Sequence, residues 1–179
     1  MTLNRLPRLF VSRRWPEAVE TELTSRYQVT FNDSDIPISR QQFADAMTQY
    51  DAICPTVSDR IDASILQIPD ARVRIIANYG AGFEHIDIGA AKSAGIAVTN
   101  TPDVLTGATA ELALLLMQMA SRRAGEGERE LRTLAWTGWR PTHLLGTSLG
   151  GKRLGLIGRV GSLWTKADTT APESMVATI

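Results

Sequence analysis

Scarcity of reactive sulfur, of imidazole and of net charge sets the first limits on this chain of 179 residues, which has one cysteine and two histidines. A single cysteine, Cys54, excludes an internal disulfide and suits a reducing, cytoplasmic compartment. Its setting, "YDAICPTV" (50–57), is an apolar strand end, which predicts a buried, inert thiol and not a nucleophile. Basic and acidic residues number 19 each, so electrostatics give no reason to expect nucleic acid or an anionic membrane as a partner. No metal site is expected. The longest apolar run, "LALLLMQMA" (112–120), is about half the length a bilayer requires. "SRRW" (12–15) resembles an export signal only until "PEAVETEL" follows it, where an apolar segment would be needed. It is expected to be a solvated turn.

The length of 179 residues suffices for one full domain and part of a second, and the 44% of apolar residues is ordinary for a globular core. Up to residue 100, short strands and helices alternate. "RLFVSR" (8–13), "YQVTFN" (27–32), "DAICPTV" (51–57), "VRIIANYG" (73–80) and "IAVTN" (96–100) read as strands. Between them come helices over 16–26, with a proline near the first turn, and from Ser39 through "QQFADAMTQ". Ser39 and Gln42 have the spacing of a capping box. A third helix, "DRIDASILQ", is expected after Ser58 as its cap, and a fourth, 86–94, is stopped by Gly95. Such alternation predicts an α/β protein whose five strands form a parallel sheet covered on both faces.

From Thr109 the pattern changes. "TAELALLLMQMASRRAGEGERELRTLAW" (109–136) predicts a long helix starting near Thr109, with Glu111 suited to its first turn. Gly125 and Gly127 are expected to bend it. Apolar almost all round between 110 and 120, it is expected to be covered by a second domain or subunit. A loop over 138–152 then leads into the strand "RLGLIG".

In a parallel sheet, ligands bind beyond the carboxyl ends of the strands, and "NYGAGFEH" (78–85) ends the fourth. Two glycines spaced by one can turn backbone N–H groups into a cavity suited to a carboxylate or phosphate. They serve equally in a plain strand-to-helix turn. Glycines alone leave both open.

The stretch "NYGAGFEHIDIGAAKSAGIAVTNTPDVLTGATAELALLLMQMASRR" closely resembles the D-isomer-specific 2-hydroxyacid dehydrogenase family. "WTGWRPTHLLGTSLGGKRLGLIG" resembles its glyoxylate/hydroxypyruvate reductase branch. The likeness covers about residues 7–158, with the motifs in the family's order and spacing. It implies a flavodoxin-like substrate domain over residues 1–102, an interdomain and dimerisation helix with its loop over 103–150, and the start of a Rossmann NAD(P)-binding domain over 151–179. It further implies a small 2-oxo or 2-hydroxy acid as substrate, NAD or NADP as cofactor, and a homodimer formed through the helix after Thr109. The amides of Ala81 and Gly82 would hold the substrate carboxylate, with Tyr79 and Gly80 shaping the loop. Thr109 matches a position near the nicotinamide, and Asn100 and Pro102 match the hinge segment. Neither histidine matches the family's catalytic one. His85 is expected to be structural and His143 to be a surface-loop residue, with a specificity role as its alternative.

The likeness stops in "RLGLIGRVGSLWTKADTT" (153–170). The family continues as strand, G-x-x-G-x-G-x-x-G and helix, in which glycines allow the backbone to approach pyrophosphate. Gly155 and Gly158 match, but Gly161 arrives two residues early. The family's catalytic arginine, glutamate and histidine match nothing in the 179 residues, so no catalytic residue is assigned. Hydride transfer needs a cation to polarise the carbonyl and an acid to protonate the alkoxide. The sequence therefore predicts a dehydrogenase fragment that is inactive alone and binds dinucleotide very weakly. The alternatives are a non-catalytic dimerisation module and a carboxylate-binding domain without a cofactor. The tail is expected to carry no packed element.

Overall fold

The computed structural model describes residues 5–157 and 174–178. Two compact units divide the chain, Met1–Pro102 and Asp103–Ile179.

The first unit is a parallel sheet with helices on both faces. Its strands are β1 (Arg8–Val11), β2 (Gln28–Phe31), β3 (Ala52–Cys54), β4 (Ile75–Ala77) and β5 (Ala97–Thr99). Between them run α1 (Glu17–Arg26), α2 (Arg40–Gln49), α3 (Ala63–Leu66) and α4 (Ile88–Ser93). The order β2-β1-β3-β4-β5, with every pairing parallel, is the flavodoxin-like one, whose direction of growth reverses between β1 and β3. Alternation along each strand feeds two cores. Phe10, Ile53 and Ile76 face one cluster, with Phe43 and Met47 of α2, Ile65 and Leu66 of α3, and Ala90 and Ala91 of α4. Leu9, Val11, Ala52 and Cys54 face the other, against Trp15, Leu23 and Tyr27. Central β3 is buried at all three positions, as a strand covered on both faces must be.

Local signals gave the helix ends where the chain could satisfy itself. Ser39 and Gln42 form the reciprocal capping box, and Gly95 adopts φ +70 directly after α4. Ser58 does not cap the third helix. Its hydroxyl lies 2.9 Å from that of Thr56 in a turn that Asp59 N closes on Thr56 O, and Ile61 then bridges Ile86. Asp62 caps instead, and α3 is only four residues long. The "SRRW" turn between β1 and α1 is tied to α1 by Arg14 to Glu20 at 2.5 Å and to the segment after β2 by Arg13 to Asp35 at 3.0 Å.

In the second unit, α5 (Thr106–Ser121) begins before Thr109, and α6 (Ala124–Arg132) follows a break. The break falls at Arg123, which adopts φ +55, and not at Gly125 or Gly127, both of which lie inside α6. The loop after α6 explains it. Gly146 comes so close to the bend that a Cβ there would stand 2.5 Å from Ser121 O and 2.9 Å from Arg122 Cα, and Thr147 N donates to Ser121 O at 2.7 Å. His143, half-buried in that loop, sits with Nε2 2.6 Å from Glu130 Oε2, which ties the loop to α6. Among the described residues the expected cover over α5 is not found: Leu112, Leu114, Leu115 and Leu116 are each between 45% and 54% exposed.

β6 (Arg153–Ile157) forms as the sequence implied, but it pairs antiparallel with β7 (Ser174–Thr178), Gly155 opposite Val176. The tail, expected to carry no packed element, thus contributes a strand; Val176 and Thr178 have the β-branched character that favours one. Gly158 and Gly161 lie outside the described residues.

Candidate functional site

The carboxyl edge of the five-stranded sheet gathers the ends of β1, β3, β4 and β5. At the reversal between β1 and β3, buried Ser12 donates its hydroxyl to buried Asp59, whose carboxylate also accepts from Thr56 N at 2.8 Å. That point is filled by protein. The loop after β4 lies beside it. Tyr79 N donates to Pro55 O at 2.8 Å, and the Tyr79 ring rests on Trp15 with centroids 4.9 Å apart.

Tyr79, Gly80, Ala81 and Gly82 are consecutive here; Tyr79 N and Gly80 N donate to Pro55 O and Asn78 O, and from Ala81 on the hydrogen bonds are one-sided. Gly80 O accepts from Asn78 Nδ2 at 3.1 Å and from Thr101 N at 3.0 Å. Ala81 O accepts from Asn100 Nδ2 at 2.8 Å, and Gly82 O from Asn78 Nδ2 at 2.8 Å. Every carbonyl from 80 to 82 is satisfied by protein. The N–H groups of Ala81 and Gly82 donate to no acceptor among the described residues. A trans peptide holds its C=O and N–H antiparallel, so a carbonyl drawn inward at 80 turns the Ala81 N–H away, and one drawn inward at 81 turns the Gly82 N–H away. Two free backbone donors on adjacent residues suit an oxyanion or a carboxylate.

Glycine is required at 80 by proximity, since a Cβ there would stand 2.8 Å from Val57 Cγ1. At Gly82 a Cβ would meet only the Glu84 carboxylate, 2.7 Å away. The exposed Glu84 carboxylate thus lies beside Gly82, where its charge opposes an entering anion. A concavity of about 540 Å³ adjoins the loop, lined by Arg60, Asp62, Glu84, His85 and Asp87 among others.

His85 places Nε2 2.9 Å from Asn78 Oδ1. Burial pushes its pKa below the usual histidine value, against the opposing pull of Asp59 and Glu84. Cys54 is buried with its thiol pushed up to about 11 by desolvation, in keeping with the inert role read from its setting. Thr109 lies in the other unit and spends its hydroxyl on Leu105 O at 2.9 Å. Gly155 lies inside β6 with open space where a Cβ would go. The sequence reading missed Asn78. An asparagine immediately before a glycine turn is a known local hydrogen-bonder, and that was the available signal.

A doubly wound parallel sheet in the 2-1-3-4-5 order, with a donor-bearing loop at its carboxyl edge, defines a flavodoxin-like domain. Residues 9–178 match the family "D-isomer specific 2-hydroxyacid dehydrogenase, catalytic domain", and the chain belongs to that family. It is 42% identical over 164 residues to a glyoxylate reductase of Aeropyrum pernix, covering 87% of this chain and 48% of the relative. It is 36% identical over 143 residues to a glycerate dehydrogenase of Hyphomicrobium methylovorum, covering 80% and 44%. Among solved structures, a glyoxylate reductase of Paecilomyes thermophila aligns with a TM-score of 0.63 at 27% identity, covering 84% of this chain and 47% of that one. The TT0316 protein of Thermus thermophilus aligns with a TM-score of 0.73 at 35% identity, covering 80% and 46%. The chain spans about half the length of these relatives.

The family implies a nicotinamide cofactor. A phosphate site of the Rossmann kind needs a strand, a glycine turn and a helix N-terminus presenting its amides. Among the described residues, β6 meets an antiparallel partner and no helix follows it. These residues do not form that site, and no step is derived through the cofactor. No helix among them is long and apolar enough to cross a membrane, and none of their His, Cys, Asp and Glu side chains group as a metal site.

Proposed function

We propose that residues 1–102 are the substrate-binding domain of an NAD(P)-dependent reductase of small 2-oxo acids of the glyoxylate or hydroxypyruvate class. The Ala81 and Gly82 amides hold the substrate carboxylate, and Tyr79 and Gly80 shape the loop. The observation that carries this reading is the one-sided bonding of the loop: carbonyls 80 to 82 are all taken by protein, while both amides are free. The relatives named glyoxylate reductase support the substrate class. In such a domain the chain's own residues bind and orient the acid. The family's catalytic arginine, glutamate and histidine, which would supply the cation and the acid of hydride transfer, match no residue of these 179, so we read the polypeptide alone as binding a 2-oxo acid without reducing it and dinucleotide only very weakly.

The test is titration of the purified chain with oxalate, an unreactive mimic of a 2-oxo acid, alongside NADH and NADPH consumption with glyoxylate. Saturable oxalate binding without turnover is expected. Turnover near that of a glyoxylate reductase would refute the claim of inactivity, and no oxalate binding would refute the cradle.

A second reading, association of two copies through α5, is favoured by one observation. Leu112, Leu114, Leu115 and Leu116 stay about half exposed, an apolar surface of the kind that marks an interface. A clean monomer in sedimentation at high concentration would remove it.

A further inference from the structure

We infer that Asn78, held in orientation by His85, is a positioning residue that turns the Ala81 amide outward; as a role in carboxylate recognition this rests on the reading above. Asn78 is 3% exposed, and its side chain makes three contacts. Nδ2 lies 3.1 Å from Gly80 O and 2.8 Å from Gly82 O, so each of its two hydrogens has its own acceptor. The reverse amide orientation would set an acceptor against two carbonyl oxygens. Oδ1 therefore faces His85 Nε2, 2.9 Å away, and as an acceptor it needs a donor there. His85 must carry a proton on Nε2.

Two consequences follow from this chain of donors. Drawing two carbonyls two residues apart onto one nitrogen curls the loop, and peptide planarity then fixes the N–H groups of Ala81 and Phe83 on the opposite side. The hydrogen bond to His85 also survives titration of the ring, because the proton that comes and goes is the one on Nδ1. Asp59 and Glu84 are the charged groups that act on this ring. The amide is thus set by protein groups, the Asn78 side chain together with Thr101 N on Gly80 O, without an ion or a ligand to hold it. Preorganised donors of this kind avoid reorganisation when charge arrives.

The experiment uses the full 179-residue chain, isotopically labelled for amide NMR, with oxalate as probe. In Asn78→Ala the ligand-free Ala81 and Phe83 signals should move, and oxalate affinity should fall roughly tenfold, as expected for loss of buried hydrogen bonds. His85→Phe removes the donor but leaves Asn78 in place, and it should shift the same signals. His85→Gln, which can present an N–H to Oδ1, should restore most of both effects. That rescue separates orientation from bulk stability and keeps the inference testable if Asn78→Ala does not fold. Ala81 and Phe83 signals that overlay the wild type in a folded variant would overturn it, whatever oxalate does. Should the wild type fail to bind oxalate while these amides respond, the carboxylate reading falls and the positioning stands.

Discussion

Ser12 and Asp59, 47 residues apart, are hydrogen-bonded at the point where the strand order reverses, and both are buried. In an open α/β sheet this reversal is the usual opening for a ligand. Here the pair closes it and seats the loop after β3, on which Tyr79 and the glycine loop rest. Removing the hydroxyl leaves a buried carboxylate short of a donor. Ser12→Ala should therefore lose about 1.5–3 kcal/mol of stability, the range for hydrogen bonds to charged groups, measured by urea unfolding. A loss within error would show that the pair contributes nothing net.

Gly80 and Gly82 should respond differently to alanine. At 80 the new methyl meets β-branched Val57, and at 82 it meets only the movable end of Glu84. Gly80→Ala should destabilise by roughly 1–3 kcal/mol, as overpacking typically does, whereas Gly82→Ala should stay close to neutral. Thermal unfolding of the two variants side by side checks the contrast.

Glu84 sets a carboxylate beside Gly82, a like charge for any anion that enters the loop. Glu84→Gln removes the like charge while keeping the shape, so oxalate should bind more tightly, by about two- to fivefold for a screened surface interaction of up to ~1 kcal/mol. The gain should shrink in high salt, because exposed charges are screened. Weaker binding in this variant would mean that Glu84 assists the anion.

Cys54 should resist thiol reagents in the folded chain and react on unfolding. Its thiol ionises only near 11 in the fold, against about 8.5 for a free cysteine. A raised acid favours the folded state while it stays protonated. That contribution is complete below the unfolded value and is lost as pH rises from there toward 11. Prompt labelling near neutral pH, at a rate set by the reagent and not by unfolding, would contradict the burial.

Gly146 carries the clearest prediction in the second unit. Its Cβ would strike backbone at Ser121 and Arg122, which cannot move as a side chain does. Gly146→Ala should release the loop from the α5–α6 bend and weaken the His143–Glu130 contact. Circular dichroism should keep its helix content while the exchange protection of the Thr147 amide falls.

Much of the first unit was legible because it follows from near neighbours in the chain. Alternating strands and helices dictated a parallel sheet, as hydrophobic strands covered on both faces must be. Ser39 with Gln42, and Gly95 after α4, closed helix ends with groups a few residues away. Ser58 misled because it sits in the turn that Asp59 N closes on Thr56 O and Ile61 beyond it pairs with Ile86, which leaves Asp62 to cap the helix. The bend after Ser121 was placed at glycines by propensity, but packing of Gly146 put it at Arg123. Periodicity showed that α5 was apolar all round and could not say what covers it; among the described residues its leucines stay half exposed. The candidate site divides the same way. Its glycines were visible as spacing, and their carboxyl-edge position came from strand order. That the loop offers donors and not acceptors was decided only in three dimensions, by Asn78 and by Asn100, whose side chain reaches back 19 residues to Ala81. Spacing can mark where a loop turns, but which way its peptides face depends on side chains brought to them by the fold.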